Sequence, residues 1–267
     1  MAARLGVMDI QRYLERIEVS GPLQPTVETL RRLQRAHMLH IPFESYDCAL
    51  GRPVVVDPEV NFEKIVGRLR GGFCFELNGP FSRLLEALGF EVTLLSARPF
   101  TVGKEAEAEP DFSHLALLVP VDGVRWLVDV GFGDGSLEPL RLDPLDDSAA
   151  ADSAPLFRII PGVGDQPWSK VQVAGHGDAE SYLFSLVPRR IEDFAGMCRH
   201  YSTSPESWFV TSPVCSMATE TGRATLFQHR RLITTENGIR TEQALADDAE
   251  EEATLRDVFG VVLDPAR

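Results

Sequence analysis

Basic residues are scarce in this sequence. Twenty-six Lys and Arg stand against forty Asp and Glu, a formal charge of -14 over 267 residues, which repels nucleic acid phosphate and anionic lipid from most of the surface. Cysteine is also sparse. Cys48, Cys74, Cys198 and Cys215 are widely spaced with no Cys-x-x-Cys, so neither a zinc site nor a disulfide framework is indicated, and a reducing compartment fits best. Long apolar runs are missing. Stretches such as Leu115 to Val121 are far too short to span a bilayer, and the start, MAARLGVMDIQRYLERI, turns amphipathic without an apolar signal core, so the expected location is the cytoplasm. No G-x-x-x-x-G-K-[ST] or G-x-G-x-x-G follows a strand-like segment, which removes nucleoside triphosphates and NAD as first choices. There is no internal repeat.

What remains has the composition of a soluble globular protein, 44% hydrophobic and 25% charged. The first ninety residues read as helices. Ile10, Tyr13, Leu14 and Ile17 recur at helical spacing, a second helix starts after Pro25 with Thr26 as N-cap, and Asn61 is expected to cap a third carrying Phe62, Ile65, Val66 and Leu69. A fourth bears Leu77, Phe81, Leu84, Leu85 and Leu88 and stops at Gly89, a C′ glycine. From Glu91 the texture becomes strand-like. Val92 to Ala97, His114 to Val121 and Val124 to Val130 are apolar and β-branched, and Asp122-Gly123 between the last two is a hairpin signal. Phe157 to Ile160, Lys170 to Val173, Tyr182 to Val187, Thr225 to Thr234 and Gly238 to Glu242 are further strands. An acidic, Ala-rich surface loop covers Leu142 to Pro155, and a helix from Asp247 to Phe259 closes the chain. Helices first and strands after argue for an α+β fold without βαβ alternation.

Two features carry chemistry. In Arg70-Gly71-Gly72-Phe73-Cys74-Phe75-Glu76-Leu77-Asn78 two glycines lead into the fourth helix, which seats the Cys74 thiol at a helix N-terminus. There the dipole and unpaired amides favour thiolate and can steady an oxyanion, and the glycines let a bulky substrate approach. The motif alone serves equally an inert buried thiol beside a plain turn. The second feature is the hairpin. With Asp122 and Gly123 as the turn, facing residues have numbers summing to 245, so His114 faces Gly131 and Asp129 faces Ala116. His114 and Asp129 then share one sheet face as diagonal neighbours roughly 7–8 Å apart at the backbone, within reach of a side-chain hydrogen bond. An imidazole oriented by a carboxylate is what a thiol nucleophile needs, and Asp129, flanked by Leu127, Val128, Val130 and Phe132, needs a partner in turn. His37 and His40 have metal-compatible i, i+3 spacing but no third ligand, so packing or a helix surface is expected and no metal site.

These residues resemble the arylamine N-acetyltransferases. RGGFCFELN is similar to that family's nucleophile motif, LVDVGFG to its aspartate strand end, and IPFE at Ile41 to Glu44 with ALGFEVTLLSAR at Ala87 to Arg98 extend the likeness over about half the chain. The resemblance implies a helical bundle over 1–90 carrying the cysteine, a β-barrel over 91–200 carrying His and Asp, and an α/β lid over 201–267, around a papain-like Cys-His-Asp core. It also implies ping-pong chemistry through Cys74, His114 and Asp129, with acetyl-CoA as co-substrate, an aromatic amine or hydrazine as acceptor and no tightly bound cofactor. By similarity Phe43, Phe132 and Phe209 line the acceptor pocket, Gly131 and Gly133 admit CoA, and Arg70 pairs with Glu44 behind the cysteine loop. Ser45 stands where the family usually has Asn, and the acidic insertion at Asp143 to Asp152 has no assigned role.

Three rivals stay in view. A macrolactam-forming amide synthase of the same family would take its acyl chain from a carrier protein. A papain-like or transglutaminase-like enzyme shares the residue order Cys, His, Asp. A binding module on the same scaffold would have an unreactive Cys74.

Overall fold

In the computed structural model, residues 8–142, 157–162, 168–173, 180–227 and 230–263 are described; the expected acidic loop, beyond Leu142, lies outside them. Helix α1 (Ile10–Arg16) is capped by Asp9, whose carboxylate accepts the Arg12 N–H. Helix α2 (Val27–His40) starts, as expected, from Thr26, whose hydroxyl accepts the Thr29 N–H. Strand β1 (Phe43–Glu44) and the short α3 (Tyr46–Ala49) follow. The third expected helix is built differently. Asp57, not Asn61, caps α4 (Pro58–Phe62), with Pro58 in the first turn where no N–H is needed, and Asn61 instead donates to the Val55 carbonyl. A π-turn over Glu63–Gly67 then breaks the helical register, which buries Ile65 and Val66 but leaves Leu69 exposed, at φ 54°.

Helix α5 (Cys74–Ala87) ends in a Schellman arrangement, with Gly89 at φ 91° and the Phe90 N–H reaching back to the Leu85 carbonyl. Tyr13, Leu33, Leu77, Phe81 and Leu84 make the core shared by α1, α2 and α5. His37 is sealed within it, its Nδ1 3.0 Å from the Tyr13 hydroxyl, so packing is its role, as expected.

The strands are β2 (Thr93–Thr101), β3 (His114–Val121), β4 (Val124–Val128), β5 (Leu140–Arg141), β6 (Phe157–Ile160), β7 (Trp168–Val173) and β8 (Glu180–Arg189). They form one antiparallel sheet in the order β5-β4-β3-β2-β8-β7-β6, curled into a nearly closed barrel as its edge strands approach. The β3–β4 turn is the expected one. Asp122 and Gly123 both take positive φ, 52° and 77°, as a type I′ turn requires, and Val121 pairs with Val124 and Leu117 with Val128.

After α6 (Ala195–Thr203) and α7 (Trp208–Thr211), strands β9 (Cys215–Thr219), β10 (Gly222–Phe227), β11 (Arg231–Glu236) and β12 (Ile239–Ala244) precede α8 (Asp248–Phe259). The run expected as one strand, Thr225 to Thr234, is thus two antiparallel strands, with Leu226 facing Leu232. The order of this second sheet is β1-β9-β10-β11-β12. Its first member comes from the N-terminal helical region, because Phe43 and Glu44 pair with Ser216 and Cys215. Ser45 reinforces that link by accepting the Val214 N–H. None of the described helices is long and apolar enough to cross a membrane.

Burial holds the His37 imidazole at a pKa of about 3, with Arg16 and His40 adding to the effect. The unfolded chain therefore takes up a proton near pH 6.5 that the folded chain refuses, and stability falls as pH drops below that value. From pH 6.5 to 5 the wild type is expected to lose about 1.7 kcal/mol more than His37→Gln, read from urea unfolding at each pH; parallel profiles would contradict it.

Candidate active site

Cys74 is the first residue of α5, and the loop before it is shaped by a buried charge network. Arg70 donates to Glu44 from Nε and Nη2, at 3.0 and 2.7 Å, and to Asp47 at 3.2 Å, which confirms the expected Arg70–Glu44 pair. Lys64 joins from the π-turn, its Nζ 2.7 Å from Glu76 and 2.9 Å from Asp47. Glu76 also accepts the Phe73 N–H at 3.1 Å, which caps α5 at the residue before the thiol. Lys64 and Arg70, with desolvation opposing them, hold the Asp47 carboxyl at about 2, and burial pushes the Glu76 carboxyl up against Lys64.

The two glycines serve this loop and not substrate entry. A Cβ on Gly71 would lie 2.0 Å from the Pro42 carbonyl oxygen, and one on Gly72 would lie 2.6 Å from the Glu76 Cβ. Close approach of the chain to itself is what excludes a side chain at both.

His114 opens β3, and its Nε2 is 2.7 Å from Asp129 Oδ2. The expected His114–Asp129 hydrogen bond is thus present, but the ladder ends at Leu117–Val128, and Asp129 lies one residue past β4. There its Oδ1 accepts the Gly131 N–H and the Asn78 Nδ2–H, both at 2.8 Å, and the Tyr182 phenol bonds the same carboxylate. Burial alone would raise the Asp129 pKa; His114, Asn78 and the Gly131 amide outweigh it and hold the carboxyl below its ordinary value. Ionised Asp129 accepts, so the imidazole donates from Nε2, which leaves Nδ1 as its second nitrogen.

Asn78 and Tyr182 were not assigned roles from sequence. Asn78 stands four residues after Cys74, one turn along the same helix face, and that spacing is a usable signal. From there it donates to the Leu115 carbonyl at 2.7 Å and accepts the Val130 N–H at 3.0 Å, pinning α5 to both arms of the hairpin. Tyr182 comes from β8 and packs on His114 with ring centroids 5.1 Å apart. Only the order β3-β2-β8 brings it there, and the sequence does not encode that order.

Burial pushes the Cys74 thiol well above its ordinary pKa, although the backbone N–H groups of Leu115 and Phe75 draw it down. The helix N-terminus by itself therefore does not yield a thiolate. Cys74 and His114 open together on one cavity of about 1290 Å³, which Phe43, Phe132, Phe209, Gly131 and Gly133 also line. The aromatic residues named from sequence are thus gathered at the site, with Phe43 and Phe209 in mutual contact at 6.0 Å. A Cβ on Gly131, however, would lie 2.6 Å from Asn78 Nδ2 and 2.7 Å from the Cys74 Cα, and one on Gly133 would lie 3.4 Å from the Phe43 ring. Packing of the strand end on α5 accounts for Gly131 without any ligand.

A helix-borne thiol and a carboxylate-bound imidazole on an α+β scaffold, both facing one large cavity, are accompanied by a match of residues 26–267 to the N-acetyltransferase family model, and the protein is an acetyl-transferring enzyme. It belongs to the arylamine N-acetyltransferase family. The arylamine N-acetyltransferase of Mycolicibacterium smegmatis is 37% identical over 225 residues, covering 82% of this chain and 80% of that one. The proansamycin X synthase of Amycolatopsis mediterranei (strain S699) is 31% identical over 272 residues, covering 96% and 98%. The structure of Mycobacterium marinum arylamine N-acetyltransferase in complex with CoA superposes with a TM-score of 0.83 at 31% identity, covering 94% and 92%.

Gly131→Ala is expected to lower the unfolding free energy by about 1–3 kcal/mol, because backbone and Asn78 must both shift. Gly133→Ala, which meets only the flank of a ring, should cost less than half as much in the same urea titration. Equal effects would show that the Gly131 contact is not the tight one.

Proposed function

We propose that this enzyme moves an acetyl group from acetyl-CoA to the nitrogen of an arylamine, arylhydrazine or hydrazide, through a thioester on Cys74. The observation that carries the reading is the 2.7 Å His114–Asp129 hydrogen bond in the wall of the cavity that also holds Cys74. With Nε2 committed to Asp129, Nδ1 is the nitrogen that takes the thiol proton, and the buried ion pair so formed supplies the thiolate that burial alone disfavours. The sulfur attacks the acetyl carbonyl, the bond from carbonyl carbon to CoA sulfur breaks, and the imidazolium returns its proton to the leaving CoA thiolate. In the second half the amine attacks the Cys74 thioester and gives its proton to His114 as the sulfur leaves. Asp129 stabilises the imidazolium in both halves and fixes the tautomer.

Phe43, Phe132 and Phe209 form the apolar wall for an aromatic acceptor in this scheme, and no tightly bound cofactor takes part. The helices of 1–90 bring the nucleophile, the barrel of 91–200 brings His and Asp, and the segment from 201 onward covers the cavity as a lid. Four free, buried cysteines support a cytoplasmic setting. The cavity volume, above the usual range of a small-molecule pocket of about 300–1,000 Å³, and the kinship with a proansamycin X synthase favour a second reading. In it an acyl chain on a carrier protein is closed onto an aryl amine as a macrolactam.

Purified protein incubated with acetyl-CoA should release CoA and gain one acetyl group by intact mass, and an arylhydrazine should discharge it. Cys74→Ser, His114→Ala and Asp129→Asn are each expected to lower turnover by roughly 10²–10⁴, with Asp129→Asn the most costly to stability. Near-normal turnover in any one would refute its role. Absence of both CoA release and the mass gain with intact wild type would instead favour the carrier-bound donor. Iodoacetamide should label Cys74 of the wild type stoichiometrically at pH 7 and label His114→Ala only at alkaline pH, since the thiol then lacks its counter-cation. Equal labelling at pH 7 would separate thiolate formation from the imidazole.

A further inference from the structure

An acidic protein that takes a polyanionic donor must place positive charge somewhere along the donor's path. Among the described residues lining the cavity, Glu107, Glu109, Asp134, Glu138 and Glu220 bring five carboxylates, against the cations of Lys104 and Arg223. Lys104 is exposed in the loop after β2. Arg223 is different. It projects from β10 on the sheet face that forms one wall of the cavity, together with Ser216, Thr225 and Thr235, and the strand register sets Thr225 opposite Ser216 and Thr235 opposite Arg223.

The Arg223 side chain is only 16% exposed, and its Nε meets Asp134 Oδ1 at 3.1 Å. Its Nη1 donates to the Ser216 hydroxyl at 3.1 Å, and that hydroxyl shares a 2.8 Å hydrogen bond with Thr225. The guanidinium is therefore fixed in place before any ligand arrives. Its carboxylate partner is not sealed in with it, since Asp134 is 72% exposed. Burial lowers the Arg223 pKa and Asp134 restores only part of it, so the cation is incompletely compensated. Exchanging an exposed carboxylate for a phosphate keeps a charge-assisted fork on the guanidinium and releases Asp134 to water, where a surface ion pair contributes little.

Position agrees with chemistry. Phe43 of β1 bridges to Gly72, two residues before Cys74, and pairs with Ser216, which pairs with Thr225. Two strand spacings and two residues along β10 set Arg223 roughly 12 Å from the Phe43 backbone. A pantetheine arm can bridge a gap of that order, and Phe43 and Cys74 line the same cavity as Arg223.

We propose that Arg223 is the seat of a phosphate at the end of the acyl donor's pantetheine arm, exchanging Asp134 for it as the donor enters, with Ser216 and Thr225 holding the guanidinium. The proposal rests on the acyltransferase reading above and specifies where its donor is gripped. A free CoA thioester and a carrier-bound phosphopantetheine present the same chemistry, so three donors are compared in wild type and Arg223→Gln. They are acetyl-CoA, S-acetyl-4′-phosphopantetheine and S-acetylpantetheine, which has no phosphate.

Arg223→Gln is expected to raise KM for acetyl-CoA roughly tenfold or more with little change in kcat, and to penalise S-acetylpantetheine at least tenfold less. A matching penalty on S-acetyl-4′-phosphopantetheine places the gripped phosphate next to pantetheine and admits a carrier-bound donor; a penalty on acetyl-CoA alone would put it on the nucleotide and overturn the assignment to the pantetheine end. Asp134→Asn should lower KM for acetyl-CoA, because the competing carboxylate is gone. Equal penalties on all three donors would overturn the proposal, as would an unchanged KM for acetyl-CoA or a raised one in Asp134→Asn. Wild type that takes acetyl from none of the three would overturn the acetyl-transfer reading itself.

Discussion

The site depends on one buried negative charge. Asp129 is almost wholly removed from solvent, and a carboxylate there costs several kcal/mol unless its lone pairs are satisfied. Four groups satisfy them, and each comes from a different part of the chain: His114 at the start of β3, Asn78 in α5, the Gly131 amide just past β4, and Tyr182 in β8. The carboxylate can be ionised only when helix, hairpin and the far barrel strand are all in place. Assembly of the barrel on α5 and orientation of the His114 imidazole are thus one event. The same dependence explains why Gly131 can carry no side chain, since its Cα is pressed on the first turn of α5.

A second buried charge cluster does for the cysteine loop what Asp129 does for the histidine. Glu44, Asp47 and Glu76 face Lys64 and Arg70, with Arg52 reaching Asp47 from the edge at 3.4 Å, and Arg70 Nη1 has no hydrogen-bond partner. Such a cluster is a poor source of net stability, because well-packed apolar groups could replace it at little cost. Its value is geometric. Lys64 reaches it only because the π-turn rotates that segment, and the caps on Tyr46 and Phe73 fix where α3 and α5 begin. The first turn of α5, which carries Cys74, is thus positioned by the charges that cap the loop before it.

How much of this was legible in the sequence follows from how local each determinant is. The Asp-Gly turn fixes the β3–β4 register within four residues, and from it the His114–Asp129 pairing could be worked out before any coordinates. Thr26, Asp247 and Gly89 act within one helical turn, and each ends its helix where expected. Asn61 misled because Asn before an apolar run is a good cap, yet Asp57-Pro58 four residues earlier is a better one and took the role. Determinants that join distant segments left no trace in periodicity. The pairing of β1 with β9, the place of β8 beside β2, and hence Tyr182 at the active site, are set by barrel closure and by the sheet that ties residues 43–44 to 215–216. The glycines before Cys74 suggest room for substrate, yet they make room for Pro42, distant in sequence, and for the nearby Glu76.

Burying the thiol as well as the imidazole has a chemical consequence. In water a cysteine at pH 7 is a few per cent thiolate and reacts with whatever electrophile it meets. Here desolvation lifts the Cys74 pKa well above that of a free thiol, while the helix start and the Leu115 amide lower it only in part. A thiol so placed needs a nearby proton acceptor before it can serve as the proposed nucleophile. In the proposed mechanism, reactivity is then a property of the assembled trio and not of the cysteine alone. A chain of net charge -14 repels an anionic electrophile from most of its surface, and the proposed phosphate seat at Arg223 lies on the cavity wall. Under the proposed function, donor selectivity and restraint of the sulfur would share one physical cause, a few compensated charges placed where water screens them poorly.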